Sequence, residues 1–249
     1  MYDGYGDWYC GRRIPGLESL MYKKDKDKQA VAIQMKHVQK VYNGFTRCVV
    51  FQNLNLEIKS GEFVAAVGPI GCGKTTLINL IAGIERPTSG SIFLDGFDIT
   101  KLDDDQLADL RATKIGIVHQ VQRLFPELTV LQNIEFPLLL KGIKNEQRKA
   151  QAMDILNRLG IAGQKDKKVS TLSIGERQMV CIARAMVFNP PIILMDEPTE
   201  MLDPVVRELV LSLIRGDNLI RGKTVLITTH DRKIMEMAHR VIRVKKSIP

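Results

Sequence analysis

The chain has 249 residues, of which 45% are hydrophobic and 26% charged, enough to bury the core of one α/β domain. Its cysteines are too few and too scattered for a disulfide framework, and no CxxC pair indicates zinc. The net charge of +8 is compatible with nucleic acid, an anionic membrane surface or a polyanionic ligand such as a nucleotide, and equally with a solvated lysine-rich surface.

No segment of the sequence is predicted to enter a membrane. No stretch approaches the roughly 20 apolar residues that a spanning helix needs, and the start of the chain lacks the apolar core of a signal peptide. Any work at a membrane is therefore expected to proceed through a partner.

Residues 1–29 differ in composition from the rest of the chain. Aromatic residues lie among glycines and are followed by the charged run KKDKDK at positions 23–28. This composition predicts a flexible tail over 1–29, followed by one globular domain over 30–249. An arm that docks through its aromatic residues is the alternative interpretation, and the sequence does not decide between the two.

The first predicted elements of the domain are strands. The segments 31–38 and 54–59 alternate apolar and polar residues, which is typical of half-buried strands. The continuous apolar run at 62–67 predicts a strand buried on both faces. It stops at Gly68, and helical spacing of apolar residues follows over 75–84. The order is strand, glycine loop, helix.

The remaining elements alternate in type. Short buried strands are predicted at 115–118, 192–196 and 225–228, and helices at 145–159, 177–188 and 205–214. Strands alternating with helices indicate an α/β fold with a mostly parallel sheet. The mainly helical stretch over about 121–189 interrupts the alternation and is interpreted as an inserted helical subdomain.

A phosphate-binding loop is the strongest motif. The sequence GPIGCGKT matches GxxxxGK[ST] between a predicted strand and a predicted helix. Glycines let consecutive backbone N–H groups point at phosphate oxygens, and the helix N-terminus adds partial positive charge. Lys74 is expected to reach the β- and γ-phosphates, and the Thr75 hydroxyl to hold Mg²⁺. The nucleotide-binding set predicted here is Gly68, Pro69, Ile70, Gly71, Cys72, Gly73, Lys74, Thr75 and Thr76.

Two adjacent carboxylates follow the predicted strand at 192–196. Ligands of open α/β sheets bind at the carboxyl ends of the strands, where Asp196 and Glu197 would lie. Asp196 is expected to hold Mg²⁺, and Glu197 to act as the general base for the attacking water or to position it. Such pairs also occur at ordinary helix starts, so the prediction depends on the neighbouring phosphate loop.

Further motifs in the expected order resemble the ABC ATPase family. The segment LSIGE at 172–176 looks like the family's LSGGQ signature, and RQMVCIARAM after it resembles the usual continuation. The resemblance covers residues 31–244. The other matching positions are Tyr42 in KVYNG, Gln120 in IGIVHQ, Asp203 in EMLD and His230 in ITTHD.

The resemblance implies the ABC ATPase fold of the P-loop NTPases. That fold has a RecA-like α/β core, an antiparallel β subdomain and an inserted helical subdomain. ATP and Mg²⁺ are the implied cofactors, bound between two cassettes arranged head to tail, and a homodimer is expected. The implied partners are this second ATPase subunit and transmembrane permease subunits, with the chain peripheral on the cytoplasmic face of the membrane.

The resemblance also implies a role for each matching residue. Tyr42 would stack on adenine, and His230 would reach the γ-phosphate as part of the catalytic site with Lys74 and Glu197. Gln120 would contact Mg²⁺ and the attacking water and couple them to the permease. The residues expected to contact ATP from the second cassette are Ser173, Gly175, Glu176 and Asp203.

Two positions depart from the usual signature. Ile174 stands at the first glycine, and Glu176 replaces the commoner glutamine. An Ile174 side chain that points away from the phosphate would be tolerated, so we expect ATPase activity to persist; a cassette that binds ATP without hydrolysing it is the alternative.

Several stretches resemble the branch of lipoprotein-releasing and macrolide-exporter ATPases. They are RPTSGSIFLDG at 86–96, FPELTVLQNIEFPLLLKG at 125–142 and GERQ at 175–178. We therefore expect export or extraction of lipoproteins or other amphiphiles by mechanotransmission, with drug export, peptide export and cell division as alternatives. A nucleic-acid-associated ABC ATPase is disfavoured, since the chain holds one cassette without a long coiled-coil insertion.

Overall fold

The computed structural model describes residues 30–44, 47–219 and 221–245. The predicted tail over 1–29 lies outside the described residues. The strands are β1 Val31–Asn43, β2 Arg47–Lys59, β3 Phe63–Val67, β4 Ser89–Leu94, β5 Phe97–Asp98, β6 Ile115–Val118, β7 Ile192–Asp196, β8 Thr224–Thr228 and β9 Arg240–Arg243. The helices are α1 Lys74–Ile81, α2 Asp104–Lys114, α3 Val130–Leu140, α4 Asn145–Arg158, α5 Ile174–Met186, α6 Pro204–Leu219 and α7 Arg232–Met237, with short 3₁₀ turns at Ile99–Lys101, Ala162–Gln164 and Val169–Thr171.

A parallel sheet forms the centre of the fold. Its strand order within the described residues is β6-β7-β8-β3-β9. The central strands β7 and β8 are buried along their whole length, as continuous apolar runs predict. The register aligns Asp196 with Thr228 and Ala66 with Thr228, so β3, β7 and β8 end at one edge of the sheet. That edge is where the phosphate loop leaves β3.

An antiparallel sheet lies beside the parallel one, in the order β2-β1-β4-β5. The two strands predicted from alternation are confirmed but extend farther, to Asn43 in β1 and back to Arg47 in β2. Register shifts interrupt the pairing of β1 with β2. Strands β4, β5 and β9 were not predicted: β5 has two residues, and β9 is an edge strand whose arginines are exposed.

The segment over residues 121–189 contains α3, α4 and α5. Their apolar faces contribute to one hydrophobic cluster, represented by Ile134, Leu156 and Val180, each fully buried. Helix α3 was not predicted, and Pro137 lies inside it. Among the described residues, none of the helices combines the length and the apolar character needed to cross a membrane.

A buried carboxylate ties this segment to the parallel core. Asp217 on α6 is 1% exposed and lies 2.9 Å from Arg158 Nη2, at the end of α4. Arg221 Nε is 3.4 Å from the same carboxylate, and Lys223 Nζ is 3.3 Å from it. Burial lowers the pKa of Lys223, and the charge of Asp217 opposes that shift. Since Lys223 directly precedes β8, the cluster links α4, α6 and the strand that leads to His230.

We expect Asp217→Asn to lower the free energy of unfolding by about 3–5 kcal/mol, because it leaves the buried ammonium group of Lys223 without its counter-charge. Chemical denaturation of the chain measures this. Asp109→Asn, at an exposed position of α2, is the matched control and should change stability by less than about 0.5 kcal/mol. A loss no larger than that of the control would show that the cluster contributes little to stability.

Candidate functional site

The phosphate loop connects β3 to α1 through a backbone that requires glycine. Gly73, the residue before α1, has a φ of +103°, and a Cβ there would collide with the Val50 side chain. A Cβ at Gly68 would collide with the carbonyl oxygen of Val244. The loop is therefore packed closely from both sides, which fixes the direction of the first N–H groups of α1.

The other loop residues divide between the interior and solvent. Cys72 is 2% exposed, and its backbone N–H donates to the carbonyl of Pro69 at 3.2 Å. Ile70 is 94% exposed, and Gly71 has a φ of +76° with open space around it. The buried thiol of Cys72 thus acts as a small packing residue, whereas the tip of the loop faces solvent.

Lys74 is the cation of the site. Its Nζ donates to Gly68 O at 2.9 Å and lies 2.8 Å from His230 Nε2. Glu197 Oε1 is 3.7 Å away, and the Lys74 side chain is 9% exposed. Because an ammonium group has only donors, Nε2 of His230 accepts in this contact. The structure thus brings Lys74 together with Glu197 and His230, both of which lie more than 120 positions farther along the chain.

Thr75 and Asp196 are also adjacent. The Thr75 hydroxyl donates to Asp196 Oδ2 at 2.6 Å, and the Thr228 hydroxyl donates to the other oxygen, Oδ1. Asp196 is 2% exposed at the end of β7. Thr228 was not predicted as a site residue, although its place beside Asp196 at a strand end was a usable signal. It orients the carboxylate from the neighbouring strand.

Glu197 has an unusual backbone and an unsatisfied side chain. Its φ is +47°, a conformation held by its N–H donating to Thr228 O at 3.0 Å. One carboxylate oxygen accepts from the backbone N–H of His230 at 3.2 Å, whereas the other, Oε1, is buried and accepts no hydrogen bond from the described residues. Burial raises the pKa of Glu197, while His230 and Lys74 oppose the shift. These are the properties of a carboxylate prepared to accept a proton.

The signature residues form the start of α5. Ser173 caps this helix, accepting from Glu176 N at 3.2 Å, and its own N–H donates to the Glu176 carboxylate at 2.8 Å. Ile174 is 53% exposed, and a Cβ at Gly175 would lie 3.2 Å from Met201 O. Within the described part of the chain, Ser173 and Gly175 make no hydrogen bond with the phosphate loop. One chain does not bring the signature and the loop together.

The glutamine and aspartate predicted from the family motifs lie on loops near Glu197. The Gln120 amide donates to Glu200 Oε2 at 3.3 Å. Asp203 Oδ1 accepts from the N–H groups of Val205 and Val206, both at 3.0 Å, and so caps α6. The contacts of Asp203 within the chain are structural, and its predicted contact with ATP stays a prediction.

Tyr42 approaches the loop from the antiparallel sheet. It is 38% exposed, and its hydroxyl is 3.3 Å from the Thr76 hydroxyl on α1. The same hydroxyl donates to Glu85 at 2.5 Å. Glu85, which lies in the loop between α1 and β4, was not predicted as a site residue. The structure therefore places the Tyr42 hydroxyl beside the phosphate-loop helix, and the stacking of its ring on adenine stays a prediction.

The site residues fit a magnesium nucleotide. Thr75 and Asp196 supply hard oxygen ligands, which Mg²⁺ prefers together with phosphate oxygens. The glycine loop, the start of α1 and Lys74 supply donors and positive charge for phosphates. Oε1 of Glu197 is buried and accepts no hydrogen bond from the described residues, so it is an acceptor suited to a water proton.

Comparison with known proteins identifies similar sequences. A family model described as ABC transporter matches residues 51–200. The chain is 40% identical over 218 residues to the uncharacterized ABC transporter ATP-binding protein MJ0796 of Methanocaldococcus jannaschii, covering 86% of this chain and 93% of that protein. It is 39% identical over 202 residues to the lipoprotein-releasing system ATP-binding protein LolD of Geobacter metallireducens, covering 81% and 90%. The macrolide export ATP-binding/permease protein MacB of Syntrophobacter fumaroxidans is 36% identical over 219 residues, which are 87% of this chain and 31% of that protein.

The fold is similar to solved structures as well. The dimeric structure of a post-hydrolysis state of the ATP-binding cassette MJ0796, bound to ADP and Pi, matches with a TM-score of 0.83 and 39% identity. The match covers 86% of this chain and 94% of that one. The predicted fold is thereby confirmed.

Proposed function

The chain belongs to the ABC transporter family of ATP-binding proteins, and on that premise we propose that it energises a separate transmembrane subunit. It is an ATPase of this family. The observation that carries the proposal is the convergence of Lys74, Glu197 and His230, with Lys74 Nζ 2.8 Å from His230 Nε2 and 3.7 Å from Glu197 Oε1.

Each residue of this group has a separate task in the proposal. Lys74 would bind the β- and γ-phosphates, and Thr75 and Asp196 would hold Mg²⁺, which would supply positive charge beside the phosphates. Glu197 accepts a proton from the attacking water through Oε1, the oxygen that accepts no hydrogen bond from the described residues. His230 holds Lys74 and Glu197 in position relative to each other, since its ring contacts Lys74 and its backbone N–H donates to Glu197.

A second copy of the chain completes the site in this proposal. Ser173, Gly175 and Glu176 lie at the exposed start of α5, where backbone N–H groups and the helix dipole suit an anion. The dimeric form of the similar cassette supports a pair of cassettes. A head-to-tail arrangement of the two would let these residues and Asp203 face the partner's ATP. We propose a homodimer within the complex.

The transmembrane partner would dock beside Gln120. Exposed apolar side chains lie on the segment after it and at the end of α3: Val121, Phe125, Leu139 and Leu140. Phe125 packs against Phe136 of α3, with ring centroids 4.7 Å apart and ring planes tilted by 55°, so the loop contacts the helix. Such a patch is typical of a protein contact. The chain would then be peripheral, on the cytoplasmic face of the membrane.

For the substrate, we propose lipoproteins or other amphiphiles, moved by mechanotransmission through the partner. The similarity to a lipoprotein-releasing ATP-binding protein supports this class. Drug export is the second candidate, because 87% of this chain also resembles part of a macrolide export protein. No nucleic acid is expected as a partner.

Identification of the membrane subunits that copurify with the chain tests this assignment. We expect subunits with about four spanning helices and a large extracytoplasmic domain, purified by a tag on this chain after detergent extraction. Subunits with six or more spanning helices and a separate binding protein would contradict export. In the reconstituted complex, stimulation of ATP hydrolysis by a lipidated protein but not by a macrolide would separate the two candidates.

A further inference from the structure

The hydroxyl of Tyr42 is anchored rather than free. It donates to Glu85 Oε2 at 2.5 Å and lies 3.3 Å from Thr76 Oγ1. Thr76 is the third residue of α1, the helix that begins at Lys74. The orientation of the ring is therefore fixed relative to the phosphate loop, although Tyr42 belongs to the antiparallel sheet.

Glu85 is held on both of its oxygens. Asn79 on α1 donates its side-chain amide to Oε1 at 2.9 Å, and Lys40 Nζ lies 3.0 Å from Oε2. Burial alone raises the pKa of Glu85, but hydrogen bonds from Tyr42, Asn79 and Lys40 lower it below its ordinary value. The carboxylate is thus a fixed, ionised acceptor for the tyrosine hydroxyl.

Lys40 contacts both the Tyr42 ring and the Glu85 carboxylate. Its Nζ lies 4.7 Å from the centroid of the Tyr42 ring, and it also donates to Arg86 O at 3.0 Å. The Lys40 side chain is 12% exposed. One face of the ring is therefore covered by an ammonium group, and the base of a nucleotide must stack on the other face.

We propose that Glu85 and Lys40 are positioning residues that hold the Tyr42 ring in place for a nucleotide base. The inference rests on the proposed ATP-binding function and adds two residues, Glu85 and Lys40, for which the sequence motifs predicted no role. Every base has a π-face, so stacking tolerates any base. The pair would therefore favour nucleotides over base-free polyphosphate without distinguishing adenine from guanine.

Glu85→Ala, measured by titration calorimetry, tests this. We expect about tenfold weaker binding of Mg-ATP and of Mg-GTP, within the range that loss of base stacking gives, and unchanged binding of tripolyphosphate. Tyr42→Phe, which keeps the ring but removes the hydroxyl, should weaken ATP binding by a smaller factor. Glu146→Ala, at an exposed position of α4, is the control and should leave all three affinities unchanged.

A double-mutant cycle distinguishes positioning from a structural effect. In a Tyr42→Ala background, Glu85→Ala should weaken ATP binding no further, since the ring that it positions is gone. Equal losses for ATP and tripolyphosphate, or additive losses in the double variant, would overturn the proposal. Glu85→Gln serves if the alanine variant unfolds, and should weaken ATP but not tripolyphosphate. A wild-type chain that binds neither ligand would instead overturn the proposed function.

Discussion

Mg-ATP should bind about 100-fold more weakly to the Lys74→Ala variant than to the wild-type chain. Lys74 is the buried cation of the phosphate loop, and its ammonium donates to Gly68 O and contacts His230. Alanine removes charge-assisted hydrogen bonds to the phosphates, each worth roughly 1.5–3 kcal/mol. It also leaves Glu197 facing the phosphates without the cation 3.7 Å away. Titration calorimetry with Mg-ATP measures the loss.

Lys59→Ala is the matched control for this variant. Lys59 is exposed at the end of β2, so its removal changes the net charge by the same amount without touching the loop. We expect wild-type affinity for the control and equal thermal stability for all three proteins. If the Lys74 variant kept an affinity within threefold of wild type, the assignment of the loop as the phosphate site would be wrong.

The loop, the paired carboxylates and the buried strands of the parallel sheet could be predicted because each is encoded in consecutive residues. The apolar runs of β3, β7 and β8 each end at a glycine or polar residue, and parallel strands bring those ends to one edge. Asp196 and Thr228 therefore meet although 32 positions separate them. Motif and topology together predict the catalytic group, but not its distances.

Elements with weak apolar patterns could not be predicted in the same way. Helix α2 buries Leu107 and Leu110 alone, and a capping box between Asp103 and Gln106 defines its start. Strand β9 has four residues with exposed arginines, so the pairing with β3 that defines it is visible only in three dimensions. Tertiary pairing outweighs local propensity in such segments.

Ser173 and Glu176, at the start of α5, belong both to the signature motif and to the N-terminal cap of the helix. Its prediction began at Arg177, whereas the helix begins at Ile174, because Ser173 and Glu176 form a capping box. The resemblance to the signature motif predicted only a contact with ATP for these two residues. Within one chain their contacts stabilise the helix N-terminus, and the same exposed N-terminus is the surface proposed for the partner's ATP. The contact between Tyr42 and Glu85 carried no sequence signal at all.

Hydrolysis, unlike binding, should depend on Glu197. We expect Glu197→Gln to retain Mg-ATP affinity within about threefold and to slow single-turnover hydrolysis by roughly 10²–10⁴-fold, the range of general-base contributions. The amide matches the carboxylate in shape and can still accept from His230 N, a contact of 3.2 Å in the structure, but it cannot take a proton from water. Glu146→Gln, exposed on α4, is the control.

The pH dependence gives this prediction a second readout. Burial raises the pKa of Glu197, so the base is lost by protonation as the pH falls through that raised value. Wild-type hydrolysis should therefore decline toward acid pH, and the Glu197→Gln rate, already low, should lack that decline. Hydrolysis by the variant within fivefold of wild type, with the same acid limb, would assign the proton transfer to another group. The contrast with Lys74→Ala then separates binding from chemistry: the lysine variant loses affinity, and the glutamine variant keeps affinity but loses turnover.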